Sequence, residues 1–544
     1  MVASSSLAVF SESRLQAISK RLGHNGLYDV IERMRTHTQA RRNANKTSFV
    51  EARLDKADHL PVPAQEAERY ARFTAYFEHI HPMYPFLNQK RFEEKVSGLQ
   101  TGSLQKDIAW SALYHGVLAL GSQFHNKGDF TPEKGLSWQL FKSALGLMPN
   151  SVGPDATLVN VQAIFSQNLS GYTLENYLVS EAIRLAITTN IHKPIHCADS
   201  RKKAILFWVI YCLEKPLCFN DGLTSLIVDS DIGCSVPEVS ESVVEGYDWF
   251  LSSVTLARML SIAYETLFSV KAANNSAEQF RVGISQVYAG LECWTMSIPK
   301  KFRPGESIKL HNVSITLTTT LLYQHFYYQN AMMAISRLAI HIGEPSILSE
   351  VGIGKSGLIK AARTILELTK YTDPKAWSPL WIVAAMPLAA MFILFESVVH
   401  DDPTSTDTKH NLFFLDMAAG YFSRLDYDSG GSFHGSIFSE FTFFARLFVY
   451  KELNIDRSAN PDITTGSTNF DPLHTTPLGA NDMSSQVSPI VPLEGLYPPV
   501  EEGGFPDRDY PLHQGSYSNL ENDSIVVDFM EIFDPMLANE DWHW

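Results

Sequence analysis

Apolar residues recur at three- and four-residue spacing through most of this chain. Tyr70, Phe73, Phe77 and Ile80 form one such stripe, and Pro82 and Pro85 close it, since proline lacks a backbone donor and clashes with the preceding helical turn. Trp110, Leu113, Val117, Leu120 and Phe124 form a second stripe. Ala204–Leu213, AILFWVIYCL, is apolar all round, the pattern of a helix enclosed by other helices. Near the start, Leu15, Ile18 and Leu22 share one face. After a His-Asn-Gly turn, Leu27, Ile31 and Met34 share another, which predicts two short helices. No segment alternates apolar and polar residues between tight turns, so strands are not expected. The pattern predicts an all-α fold, a large multi-helix domain.

Composition divides the 544 residues into three zones. Residues 1–60 form a basic helical arm, in which Lys and Arg outnumber acids. Their blander reading is a solvated helix face, although Arg33, Arg35, Arg41 and Arg42 are the candidates for weak contact with DNA phosphates. Residues 65–452 carry the helical patterns. Residues 455–544 turn to Ser, Thr, Asn, Pro, Gly and acids, a composition expected to stay disordered because it buries too little apolar area to offset ordering entropy. The formal charge of −15 disfavours polyanion binding by the chain as a whole. The opening MVASSSLAVF lacks the basic region of a signal peptide. Leu380–Phe395 is uncharged but short for a membrane span and is interrupted by Pro387, so a buried core helix is expected and no membrane partner.

Chemical motifs are thin. Gly352, Gly354 and Gly357 satisfy G-x-G-x-x-G, yet the preceding SILSEV is a poor strand, and Ser349 stands where a phosphate loop needs glycine. His79 and His81 are spaced wrongly for one helix face, and Cys212 and Cys218 lack the C-x-x-C spacing of a zinc site. There is no G-x-S-x-G elbow and no H-E-x-x-H. Asp401 and Asp402 before Pro403 read as an interhelical turn. Nothing compels an enzyme; neither catalytic nor metal-binding residues are expected.

Several segments in order resemble the fungal-specific transcription factor domain, the middle homology region of zinc-cluster regulators of the xylanolytic-activator type. Tyr76–Phe92, YFEHIHPMYPFLNQKRF, is similar to its entry motif, and Ala112–Phe124 to its next helix. The A-[IV]-R-[LM]-A segment ending at a histidine corresponds to Ala182–Ala186 and His192. Trp208, Tyr211, Asp229, Asp231 and Pro237 fit the family pattern, whereas Glu214-Lys215 replaces its Asp-Arg pair and Asn220-Asp221-Gly222 its Gly-Arg-Pro. Those departures bear on local salt bridges and leave the fold unaffected. Leu291, Trp294, Ile298, Pro299 and Pro304 resemble the following turn, and Ala361-Ala362-Arg363 matches a later helix start. Beside the resemblance, Trp208 and Tyr211 read as core anchors, and Arg184 and Arg201 as capping or carboxylate-pairing groups.

The resemblance implies a nuclear transcription regulator, an activator of metabolic or biosynthetic cluster genes, with the transcription machinery or coactivators as partners and homodimer formation compatible with such a body. The family reads DNA through six cysteines holding two zinc ions. This chain has five cysteines, the first at Cys197, so no cofactor is expected here and zinc only with an upstream cluster. DNA contact is then weak or made through a partner. Residues 521–544 mix acids with Phe529, Phe533, Leu537 and Trp542, the make-up of an activation segment that offers anchors to a coactivator groove. The alternative is an intracellular helical ligand-binding protein or enzyme unrelated to transcription.

Overall fold

The computed structural model describes residues 4–5, 12–34, 36, 66–98, 106–125, 135–151, 156–168, 175–194, 199–244, 246–306, 315–343, 352–372, 381–429, 431 and 435–459. Arg35, Arg41, Arg42 and the segment 521–544 lie outside them. The described fold is all-α. Among the described residues the β structure is one antiparallel pairing, Val243–Val244 with Tyr247–Asp248.

Helix α1 (Glu12–Leu22) leads through a turn into α2 (26–34). Leu15, Ile18 and Leu22 on α1 and Leu27, Ile31 and Met34 on α2 are all buried, as their spacing predicts. The next helices are α3 (Glu66–His79), α4 (Gln89–Ser97), α5 (Ile108–His125), α6 (Gly135–Ser151), α7 (Leu158–Asn168) and α8 (Glu175–Thr188). Helix α5 packs against α3, α6 and α7, which is why nearly every residue from Trp110 to Gln123 is buried. The α3–α5 approach is close. A Cβ on Gly121 would fall 1.9 Å from the carbonyl oxygen of Arg72, so only glycine fits there. The α3 stripe differs from expectation at one position: Tyr70 is exposed, and the fully buried ring is Tyr76. Tyr70 lies a turn before the α5 contact and faces an open groove with His79 and Phe124.

Helix α9 (Ser200–Asp221) packs on α8 and α10 (Trp249–Ala263). Its apolar run is enclosed, with Trp208 and Tyr211 fully buried. Gly222 ends it at φ 69°, giving its N–H to the Cys218 carbonyl in the left-handed cap that favours glycine. Helix α11 (Ala277–Ser297) opens on a Ser276–Gln279 capping box. Long α12 (Ile315–His341) contacts α10, α11 and α13 (Lys355–Leu368). Ala361-Ala362-Arg363 therefore lies inside α13 and not at its start. The start is set by Gly354, whose φ of 106° precedes Lys355.

The last layer holds α14 (Trp381–His400), α15 (Thr406–Asp428) and α16 (Ser439–Ala459). Ile382–His400 is 19 residues with mean hydropathy 2.2, enough by length and composition to cross a membrane, and it is buried as far as Val399. Pro387 shapes its first turns. Proline supplies no N–H to the carbonyl four residues back, and the Val383 carbonyl accepts Tyr421 Oη at 2.7 Å instead. The turn before it, Trp381–Ala385, widens to a π-helix. Helix α1 packs on α14, and Arg14 forms a buried ion pair with Glu396 at 2.7 Å. The sequence reading of the basic arm as a solvated face therefore fails at Arg14, because its partner lies 382 residues away.

Candidate functional site

Two arrangements stand out as candidate sites. The first surrounds the departures at Glu214-Lys215. Both side chains are buried, which is costly without partners. Glu214 accepts the Leu226 N–H at 2.8 Å and the Ser225 hydroxyl at 3.0 Å. Lys215 Nζ donates to Ser225 Oγ at 2.8 Å and to the Ile227 carbonyl at 2.7 Å, and sits 3.4 Å from Asp229 Oδ2. Asp229 also accepts Tyr211 Oη at 2.7 Å and the Ser261 hydroxyl. Burial, and the Asp229 carboxylate it donates to, push the Tyr211 phenol well above its ordinary range. Every ionised group in this knot has hydrogen-bond partners, so it fastens residues 223–237 to α9 and leaves no group open for catalysis. Asp231 is exposed. Trp208 donates its indole N–H to the Ser235 carbonyl at 3.1 Å, with the Arg258 guanidinium over its ring at 4.7 Å.

The Asn220 replacement has its own partner: Asn330 Nδ2 donates to Asn220 Oδ1 at 2.7 Å, tying α12 to the end of α9. Arg184 pairs with the Glu181 carboxylate, as read from the sequence, whereas Arg201 neither caps a helix nor pairs with a carboxylate there but donates to the Glu238 backbone carbonyl. Cys212 and Cys218 are free thiols that burial pushes far above the usual range, which makes them inert. Among the described residues no group of three His, Cys, Asp or Glu side chains could hold a metal ion. Lys355 and Asp401 form an ion pair across the glycine-rich loop, and Asp402 caps the turn at Thr404.

Of the arginines expected near DNA, Arg33 is described. It is exposed, but Glu440 of α16 engages its guanidinium at 2.6 Å and it also bonds the Asp29 carbonyl. The Glu440 hydrogen bond raises its already high pKa. Arg35, Arg41, Arg42, Phe529, Phe533, Leu537 and Trp542 lie outside the described residues. The second arrangement, missed by sequence reasoning, is a cavity between α9, α10 and α12 with Thr320 on its wall. Its residues sit at ordinary helical spacing, and only the packing of three helices reveals them.

The family described as the fungal specific transcription factor domain matches residues 74–295, from α3 to the end of α11. That stretch is where the similarity to the family lies. It holds the whole Glu214–Lys215 knot and the Trp294 anchor, whose indole N–H bonds Ser252. An ABC-transporter-regulating transcription factor of Aspergillus oryzae is 24% identical, over 94% of this chain and 61% of its own length. Its counterpart in Aspergillus fumigatus is 24% identical over 79% of this chain and 52% of its own. A fumonisin cluster-specific transcription factor of Gibberella moniliformis is 23% identical over 63% of this chain and 57% of its own. The chain thus spans about half to three fifths of the length of these relatives. No solved structure matches it.

Proposed function

We propose that this chain is the helical body of a nuclear fungal transcription regulator that controls metabolic or biosynthetic cluster genes without catalysing a reaction. The observation that carries this is the domain match over residues 74–295, joined to relatives that are transporter-regulating and cluster-specific transcription factors. The knot at Lys215 supports a structural use of the polar residues, since its charges are spent on fastening a loop. Direct DNA contact through Arg33 is weak in this reading, because Glu440 already neutralises it, and Arg35, Arg41 and Arg42 add the remaining phosphate contacts. Five cysteines cannot fill a six-cysteine cluster, so specific DNA reading comes from a partner or from sequence beyond this chain. Residues 1–60 serve as the basic arm, 65–452 as the regulatory domain and 455–544 as the acidic tail.

The activating surface is residues 521–544, where Phe529, Phe533, Leu537 and Trp542 are spaced to share most of one face of an induced helix. Fused to a foreign DNA-binding domain, this segment should activate a reporter in a fungal host. Replacing Phe529 and Phe533 with Ala should remove most of the output, and Asp528→Asn alone should remove less. A silent fusion that is expressed and nuclear would sink the activation role.

A further inference from the structure

Helices α9, α10 and α12 converge on a partly open cavity of about 60 Å³. Its wall is built from apolar and aromatic side chains, among them Val209, Leu213, Trp249 and Tyr323, and no charged residue lines it. Met83 and Tyr84, from the loop between Pro82 and Pro85, complete the wall and are half-buried, so this side meets solvent.

A few polar groups interrupt the apolar lining. Thr320 is 7% exposed, and its hydroxyl has no hydrogen-bond partner. Buried hydroxyls are nearly always bonded, and an exception calls for an explanation. Pro216, also on the wall, has no N–H for the carbonyl of Cys212, which leaves that acceptor without its helical donor. Gln324 shows the contrast. It accepts Tyr247 Oη and donates to the Trp249 carbonyl at 3.1 Å and Ser253 Oγ at 2.8 Å. The open valence on the wall therefore belongs to the Thr320 hydroxyl.

We propose that this cavity binds a small neutral lipophile carrying one hydroxyl or carbonyl, with the polar atom bonded to Thr320 Oγ1. The uncharged lining excludes ions, which would lose their hydration without compensation. The rings of Trp249 and Tyr323 offer flat apolar contact, and a mostly apolar wall with few placed polar groups is the usual make-up of a ligand pocket. At about 60 Å³ the cavity is under half the roughly 150 Å³ that admits benzene. A ring-sized guest therefore displaces the Met83–Tyr84 segment, the part of the wall that belongs to no helix. The inference stands on the cavity and does not depend on the transcriptional reading.

The test uses the full chain with benzyl alcohol and toluene as probes, followed by ligand-observed NMR titration. Both should bind saturably. Thr320→Val keeps the side-chain shape, and should weaken benzyl alcohol about fivefold, the loss of one neutral hydrogen bond, without weakening toluene. Leu213→Trp, which fills the cavity from its half-exposed side, and Ala257→Phe, which fills it from α10, should each abolish binding of both probes. Circular dichroism checks that each variant folds; Leu213→Trp carries the test if Ala257→Phe does not. Absence of saturable binding to the wild-type chain would mean that the cavity holds water alone, and overturns the proposal. So would a Thr320→Val chain that binds benzyl alcohol as well as the wild type, or filled variants that still bind.

Discussion

Trp208 makes three kinds of contact at once: it has no exposed surface, its indole N–H bonds Ser235, and Arg258 lies over its face. Trp208→Ala should cost roughly 3–5 kcal/mol through the cavity it leaves, seen as a lower denaturation midpoint with an unchanged slope. A midpoint equal to the wild type would show that the indole is not an anchor. The buried histidines behave differently. Burial lowers His115 and His325 to about 4, though each ring also bonds a backbone carbonyl, Ser111 and Phe302 respectively. Their unfolded-state pKa is near 6.5, so protons bind the unfolded chain first. Stability is full above about pH 6.5, is lost as pH falls toward about 4, and loses no more from these two groups below that. At pH 5 each histidine should account for about 2 kcal/mol of the loss. Urea unfolding of His325→Gln at pH 7 and pH 5 checks this: the variant should lose about that much less than wild type between the two, and an identical loss would refute it.

Among the elements, helix existence was legible because apolar spacing records which face is covered, and α1, α2, α5 and α9 follow their patterns. What each charge pairs with was not. Arg14 looks like any arginine of a basic helix, and its pairing with Glu396 arises only when α1 meets α14. Tyr70 and Tyr76 show a related limit, since both are aromatic on one helix and only the position of α5 decides which is buried. The start of α13 was misplaced because the alanines matched a family pattern while Gly354 set the boundary. The candidate site was the least legible part, because Thr320 differs from other helical threonines only in lacking a partner. Gly121 tests the α3–α5 contact directly. Gly121→Ala removes the flexibility penalty of glycine in a helix, worth roughly 1 kcal/mol, but drives a methyl into the Arg72 carbonyl. The clash should win, with a net loss of roughly 1–3 kcal/mol. A thermally stabilised variant would show that the two helices can separate.

At the scale of the molecule, helices that follow one another in sequence are mostly those that pack together, from α5 with α6 and α7 to α13 with α14 and α15. Other ties join helices apart in sequence, including the two ends of the described chain. Rings of Phe392 and Phe395 on α14 meet Phe441 of α16, Arg21 of α1 lies over Phe448, and Arg14 reaches Glu396. The two N-terminal helices thus close the last layer, although the domain match begins only at residue 74.

That closure has a consequence for where the protein goes in a cell. Ile382–His400 meets the length and hydropathy of a bilayer-crossing segment, and a lipid bilayer is a competing solvent for any such helix left uncovered. Helix α1 and its arginine cover that helix from one side. A chain starting at residue 61, a natural choice for anyone trimming to the matched domain, loses that cover and leaves Glu396 without its cation. Such a truncation should shift from the soluble fraction to the membrane pellet on cell fractionation, while the full chain stays in the supernatant. Glu396→Gln in the truncated chain should increase the pelleting further, because removing the charge from the apolar stretch lowers the cost of transfer to lipid. If the truncated chain remains wholly in the supernatant and folded, the neighbouring helices alone are enough to keep the segment out of lipid.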